Sequence, residues 1–243
     1  MCLLFWLART RVKPCRVLNL LSSLSEGSDS VFIPTSFRVE ERSALYDFVE
    51  RYGFATLVTL LDSVPFASHI PLLLEREKNL LLGHLSKANP HWEAFAAGSE
   101  SLAIFSGPHA YISPSWYASS PAVPTWNYTA VHIYGLPQLL PPERTAEIVN
   151  LTVSKYEGSR STPWPNEMPE DFRQRLLAGI VAFEMPITRL EGKFKLGQNR
   201  SAADQDGMLE GLRKDGVEAN LLAEFIVRQR ESTTAAGKEK ANR

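Results

Sequence analysis

Between Phe54 and Leu140 the chain passes through a succession of short β-forming stretches separated by turn residues, and this succession constrains the fold most. Phe54 to Leu60 (FATLVTL) predicts a strand, Asp62-Ser63 a turn, and Phe66 to Leu74 the returning strand. Asn79 to Leu85 predicts a third strand and Ser101 to Ser106 a short fourth. Val123 to Leu140 holds a long strand, or a hairpin pair broken near Gly135-Leu136-Pro137, and the apolar, alternating Ile180 to Leu190 adds another. Six or so strands in one small chain leave edges open to wrong pairing unless the sheet closes on itself. The expected fold class is therefore α+β, a small barrel with flanking helices.

Leu45, Phe48, Val49 and Tyr52 recur at helical spacing, so residues 40–52 predict an amphipathic helix stopped by Gly53. Asn89-Pro90 reads as a helix start, with Asn as cap and Pro in the first turn. Ala146, Val149, Val153 and Tyr156 share a face ahead of Gly158, and a proline-rich loop follows over 159–169. Ser201-Ala-Ala-Asp204 resembles a capping box with Asp in place of Glu, opening a last helical region.

Both ends read differently from the body. Met1 to Leu24 carries Arg9, Arg11, Lys13 and Arg16 without an acid, but its apolar stretch precedes its charges, the reverse of a secretory signal. That stretch is also too short to span a bilayer. Residues 1–30 are expected to be an extra leader outside the native domain, an organellar transit peptide being the alternative. Residues 31–227 form the domain, and 228–243 a disordered tail.

Composition narrows the function. With 26 Lys+Arg against 27 Asp+Glu, net charge alone gives no grip on nucleic acid. The two cysteines, Cys2 and Cys15, provide neither a disulfide framework nor a zinc motif, and the cysteine-free body fits a reducing, cytoplasmic setting. The five histidines show no metal-ligand spacing, so no metal is expected. Nucleophile-elbow, dinucleotide and Walker-type motifs are absent from the sequence, which leaves no assigned catalytic residue.

Four runs carry more polar and aromatic groups than packing needs. In Gly83 to Trp92, Ser86, Lys87 and Asn89 lie between a strand and a helix start, a combination suited to phosphate or carboxylate. Phe105 to Tyr117 and Val123 to His132 supply Tyr111, Trp116, Tyr117, Trp126 and Tyr128 amid short polar side chains, surroundings suited to a flat hydrogen-bonding ligand as well as to ordinary packing. Arg189 to Arg200 is basic and amide-rich.

Seven runs in order resemble the PaiB family of FMN-binding negative transcriptional regulators. They are Phe32-Ile-Pro-x-x-Phe37, Phe54 to Thr59, His69 to Leu74, Gly83 to Pro90, Gly107 to Tyr117, Val123 to Tyr128 and Arg189 to Lys193. The resemblance implies a split β-barrel of the flavin-reductase and pyridoxamine-phosphate-oxidase type, a homodimer with FMN at the subunit interface. It makes Ser86, Lys87 and Asn89 candidates for the FMN phosphate, and Thr56 and Val58 candidates for the ring. It also implies Trp126 and Asn127, from the same or the partner subunit, with Lys193, Lys195, Gln198, Asn199 and Arg200 closing the site or the dimer. Where the family commonly has Ser before Gln-Asn-Arg, this chain has Gly197. The expected function is regulation, with DNA as a partner and no membrane association. A flavin-dependent oxidoreductase is the alternative, and a non-catalytic flavin or haem carrier a third reading.

Overall fold

The computed structural model describes residues 31–165 and 167–241, with backbone alone over 233–241. The expected leader, 1–30, lies outside the described residues, and the compact unit begins at Ile33. In chain order the elements are β1 (Arg38–Val39), α1 (Arg42–Arg51), β2 (Phe54–Leu61), β3 (Val64–Pro71), β4 (Leu73–Glu75), β5 (Leu80–Ser86) and α2 (His91–Ala96). There follow β6 (Ser101–Ile112), β7 (Thr125–Gly135), β8 (Gln138–Leu139), α3 (Pro142–Glu157), α4 (Glu170–Ala178), β9 (Ile180–Lys195), α5 (Ala202–Lys214) and α6 (Val217–Ala241).

The main sheet runs β3-β2-β6-β7-β9-β5-β4, antiparallel throughout, with β1 and β8 added beside β9. Its first and last strands, β3 and β4, are consecutive in sequence and separated by Leu72 alone, so the chain itself closes the sheet. Leu72 donates its N–H to Gly53 O at 2.8 Å, carrying the β2 ladder to the crossing point. The sixteen-residue β9 belongs to both halves: Ile180–Pro186 pairs with β5, and most of Ile187–Lys195 with β7. Asp62 and Ser63 both take positive φ, which suits the twist of the tight β2–β3 hairpin.

Inward-facing Leu57, Phe105, Ile112, Ile133, Phe183 and Met185 pack with Phe95 of α2, Met208 and Leu212 of α5, and Leu222 and Phe225 of α6. A smaller cluster, Leu73, Leu82, Ile148 and Ala182, seats α3 on the outside of β4, β5 and β9. The split-barrel expectation is met.

Several boundaries differ from the sequence reading. β6 does not stop at Ser106: a register shift between Ser106 and His109 absorbs Gly107-Pro108, and pairing resumes to Ile112. The Val123–Leu140 stretch is one strand and a two-residue strand rather than a hairpin, because β8 pairs with β9. β9 runs to Lys195, so half of the basic Arg189–Arg200 run is strand. Helix α4 has no buried residue and hence no apolar face to announce it. The polar segment from 228 continues α6 to Ala241 instead of ending the ordered chain, in keeping with its Arg, Glu, Lys and Ala content. Of the capping box, Ser201 Oγ does accept from Asp204 N at 3.2 Å, while the Asp204 carboxylate also turns to Ser119.

Candidate functional site

Strand alternation sorts the predicted residues. On β2, Ala55, Leu57 and Thr59 are buried inward, which puts Thr56 and Val58 on the outer face. Their ladder neighbours share that face: Ala67 and His69 on β3, Leu102 and Ile104 on β6, then His132 and Tyr134 on β7. Thr56 Oγ1 and His69 Nδ1 are 3.0 Å apart. His132 stands in the Thr56 row two strands away, roughly 10 Å at normal strand spacing. Its Nδ1 is buried without a hydrogen-bond partner among the described residues. Burial holds this imidazole below its ordinary range, with Glu191 pulling the other way and Lys193 adding to the depression.

The loop after β5 reaches β3 through Ser68, which alternates with His69 and points to the buried side of the sheet. Ser86, Lys87 and Ala88 are exposed, and Lys87 makes no side-chain hydrogen bond or ion pair with the described residues. The loop backbone is nonetheless fixed: Lys87 N donates to Gly179 O at 2.8 Å, and Trp92 Nε1 donates to Lys87 O at 3.1 Å. Ser86 Oγ accepts from Ala88 N at 3.3 Å. Asn89 acts as expected of a cap, its Oδ1 accepting from His91 N at 3.0 Å, although α2 itself starts after Pro90. Its Nδ2 donates to Ser68 Oγ at 2.9 Å, tying the loop to β3 one residue from His69.

The remaining candidates lie further along β7 and β9, with Lys193, opposite Ala130, the nearest of them to His132. Trp126 is 55% exposed and lies edge-on to Tyr111, with ring centroids 6.2 Å apart. Lys193 Nζ lies 5.3 Å from the Tyr128 ring. Lys195 hydrogen-bonds Thr125 Oγ1, and burial lowers its pKa, as does Lys193. Arg200 stacks over Tyr117 at 4.4 Å. Trp126 is six residues from His132, so about 20 Å of strand separates it from the Thr56 row.

Two candidates are turned away from the outer face. Asn127 follows Trp126 on a strand and so faces the opposite way: it is buried, with Nδ2 3.2 Å from Met208 Sδ. Gln198 folds onto its own turn, Nε2 donating to Phe194 O at 2.6 Å and Oε1 accepting from Leu196 N at 2.7 Å. Asn199 is exposed beside it. Gly197, in the position of the family's serine, has φ +79°, and a Cβ there would come within 3.1 Å of Met208. That turn uses the left-handed conformation that glycine adopts readily.

These features fit FMN. Thr56, Val58, Leu102 and Ile104 form a half-exposed shelf of apolar and hydroxyl groups for a flat ring, with the orphaned His132 nitrogen in the same row. The exposed Ser86 hydroxyl and the Lys87 ammonium suit a phosphate dianion. A closed antiparallel sheet with an anion-receptive loop at the edge of an open face defines a flavin-binding split-barrel protein.

Residues 31–189 match the model of the family described as "Putative FMN-binding domain". Protease synthase and sporulation protein PAI 2 of Bacillus subtilis is 36% identical over 201 residues, 81% of this chain and 96% of its own. The chain belongs to this FMN-binding family, the PaiB family, and its cofactor is FMN. An uncharacterized Emericella nidulans protein is 28% identical over 68% of this chain and 81% of its own. Among solved structures, the flavocytochrome Anf3 from Azotobacter vinelandii superposes with TM-score 0.56 at 15% identity, over 69% of this chain and 74% of that one. The FAD and heme binding protein from Mycobacterium smegmatis gives 0.54 at 16%, over 70% and 78%. At that identity the likeness concerns the fold.

Proposed function

We propose that the chain is a homodimeric, FMN-dependent regulator that acts on DNA, with Ser86, Lys87 and Asn89 at the FMN phosphate and Thr56 and Val58 under the ring. The observation that carries the FMN site is the Lys87 ammonium, unpaired among the described residues on a loop whose backbone is held rigid at the edge of the open face. FMN supplies hydride and single-electron transfer when bound. The chain's own part is to neutralise the phosphate, orient the ring and exclude water from the face.

The dimer is supported by the distance between the two clusters. Trp126, Tyr111 and Arg200 are too far along the sheet to touch a ring held at Thr56 in the same subunit. A two-fold axis would bring the partner subunit's Trp126 towards this subunit's Thr56 row, and would cover the apolar shelf twice with one self-complementary contact. The regulatory part of the reading draws on the Bacillus subtilis relative, which is named for protease synthesis and sporulation.

The test is the visible spectrum of the purified protein after FMN addition and desalting, alongside light scattering and DNA retardation at several salt concentrations. A retained flavin band, a dimer mass and salt-sensitive DNA binding are expected. Loss of FMN on desalting, or a monomer at micromolar concentration, would refute the site or the dimer respectively. A second reading, a flavin-dependent oxidoreductase, is favoured by the Thr56–His69 pair, which puts an imidazole beside the proposed ring position. It predicts catalytic oxidation of reduced nicotinamide by the FMN-loaded protein, with no DNA retardation.

A further inference from the structure

His91 is fully buried at the start of α2, where the sequence offers no metal or catalytic motif for it. Its ring lies between two hydroxyls, Nδ1 2.9 Å from Ser68 Oγ and Nε2 2.9 Å from Thr59 Oγ1. Thr59 Oγ1 is in turn 2.5 Å from Ser101 Oγ. At the other end of this chain of polar atoms is Asn89, on the loop assigned above to the phosphate.

The protons in the chain can be placed by elimination. Asn89 Oδ1 accepts from the backbone N–H of His91, which fixes the carboxamide and leaves Nδ2 to donate to Ser68. Ser68 Oγ could accept from both neighbours, but its own buried proton finds a side-chain acceptor among the described residues at His91 Nδ1 alone, so the arrangement that satisfies every group has Ser68 donating there. Nε2 then carries the imidazole proton and gives it to Thr59, whose own proton is left for Ser101. Only a neutral histidine can both accept and donate along this line, and burial keeps His91 neutral by lowering its pKa. The ring is also wedged between Phe66 and Phe95, with centroids at 5.1 and 5.2 Å, so it cannot swing away.

We infer that His91 is a positioning residue for the cofactor phosphate: it anchors Ser68 and, through it, the carboxamide of Asn89, so that the 86–89 loop is set before the ligand arrives. The inference rests on the assignment of that loop to the FMN phosphate. A loop held ready in this way loses less freedom on binding. The same Ser68 adjoins His69, which bonds Thr56 on the ring shelf, so β3 holds the two halves of the site in register.

The experiment titrates wild type, His91→Phe, Lys87→Ala and Asn89→Ala with FMN and with riboflavin, which has the ring but no phosphate. Phe keeps the ring's shape and removes both nitrogens. His91→Phe is expected to weaken FMN about tenfold, the size of one or two buried hydrogen bonds, and riboflavin less than twofold. Adding His91→Phe to Asn89→Ala is expected to cost nothing further. Equal losses for both ligands, or no loss for either, would overturn the positioning role. If Lys87→Ala discriminates between the ligands and His91→Phe does not, only the His91 role fails. If Lys87→Ala treats the ligands alike, the phosphate loop itself is misassigned and the inference falls with it. Should His91→Phe not fold, Ser68→Ala removes the atom joining Asn89 to the ring and is judged by the same outcomes.

Discussion

A lysine at the surface usually contributes little to stability, and Lys87 should be no exception. Its ammonium meets no side-chain partner among the described residues, so Lys87→Ala should leave the melting temperature unchanged and raise the FMN Kd severalfold. Fluorescence titration beside a thermal melt checks both halves. Asp204 works differently. Ser119 donates its hydroxyl at 2.7 Å and its backbone N–H at 2.8 Å, and these bonds, with that from Ser201, hold the carboxyl below the usual carboxylate range. A depressed native pKa stabilises the fold at every pH above the unfolded value, and the effect is lost as pH falls through the native value. Asp204→Asn should therefore melt earlier than wild type at pH 7, and the gap should close only below the ordinary carboxylate pKa of about 4. A gap that stays constant into acid would show that the charge of Asp204 is not what matters. The exposed loop that carries Ser86, Lys87 and Asn89 was legible in sequence because a strand, a polar loop and a proline follow one another without a break. Asn127 was not, since only the two-residue period of a strand already placed reveals that it and Trp126 must part.

Between elements, the loop after β6 is seated in α5 by a tryptophan and two glycines. A Cβ on Gly207 would meet Trp116 O at 2.1 Å, and one on Gly211 would meet the Trp116 ring at 2.3 to 2.7 Å. Gly211→Ala should cost about 1–3 kcal/mol in chemical denaturation, as overpacking usually does. Gly207→Ala should cost more, because a backbone carbonyl cannot swing aside as a ring can. Equal, negligible costs would mean that the helix simply shifts outward. Elements with a strong period, such as α1 with Leu45, Phe48 and Val49, could be read to within a residue or two. The boundary of β6 could not, because Gly107-Pro108 reads locally as a stop, and only the partner strand β7 shows that pairing resumes beyond it. Helix α4 left no trace in the apolar pattern for the converse reason, since tertiary burial never selected a face on it.

For the whole molecule, the proposed two-subunit site makes a prediction that neither cluster makes alone. Lys87→Ala and Trp126→Ala should each weaken FMN in a pure homodimer. A mixed dimer of the two variants should recover one unmodified site, because both changes then fall on the other. Flavin stoichiometry of separately tagged, co-purified dimers measures this directly, with one tightly held FMN per mixed dimer expected. No recovery would mean that both residues serve the same subunit's site.

The sharing of β9 between the two halves of the sheet has a consequence for how the protein is made. Ile180–Lys195 leaves the ribosome after every other strand of the sheet, and until it does, neither β5 nor β7 has its partner on that side. The nascent chain must carry two open strand edges until β9 emerges and can complete neither half-sheet before then. Chains stalled just before Ile180 should resist proteases no better than unfolded polypeptide, and chains extended past the core-packing part of α6 should be resistant.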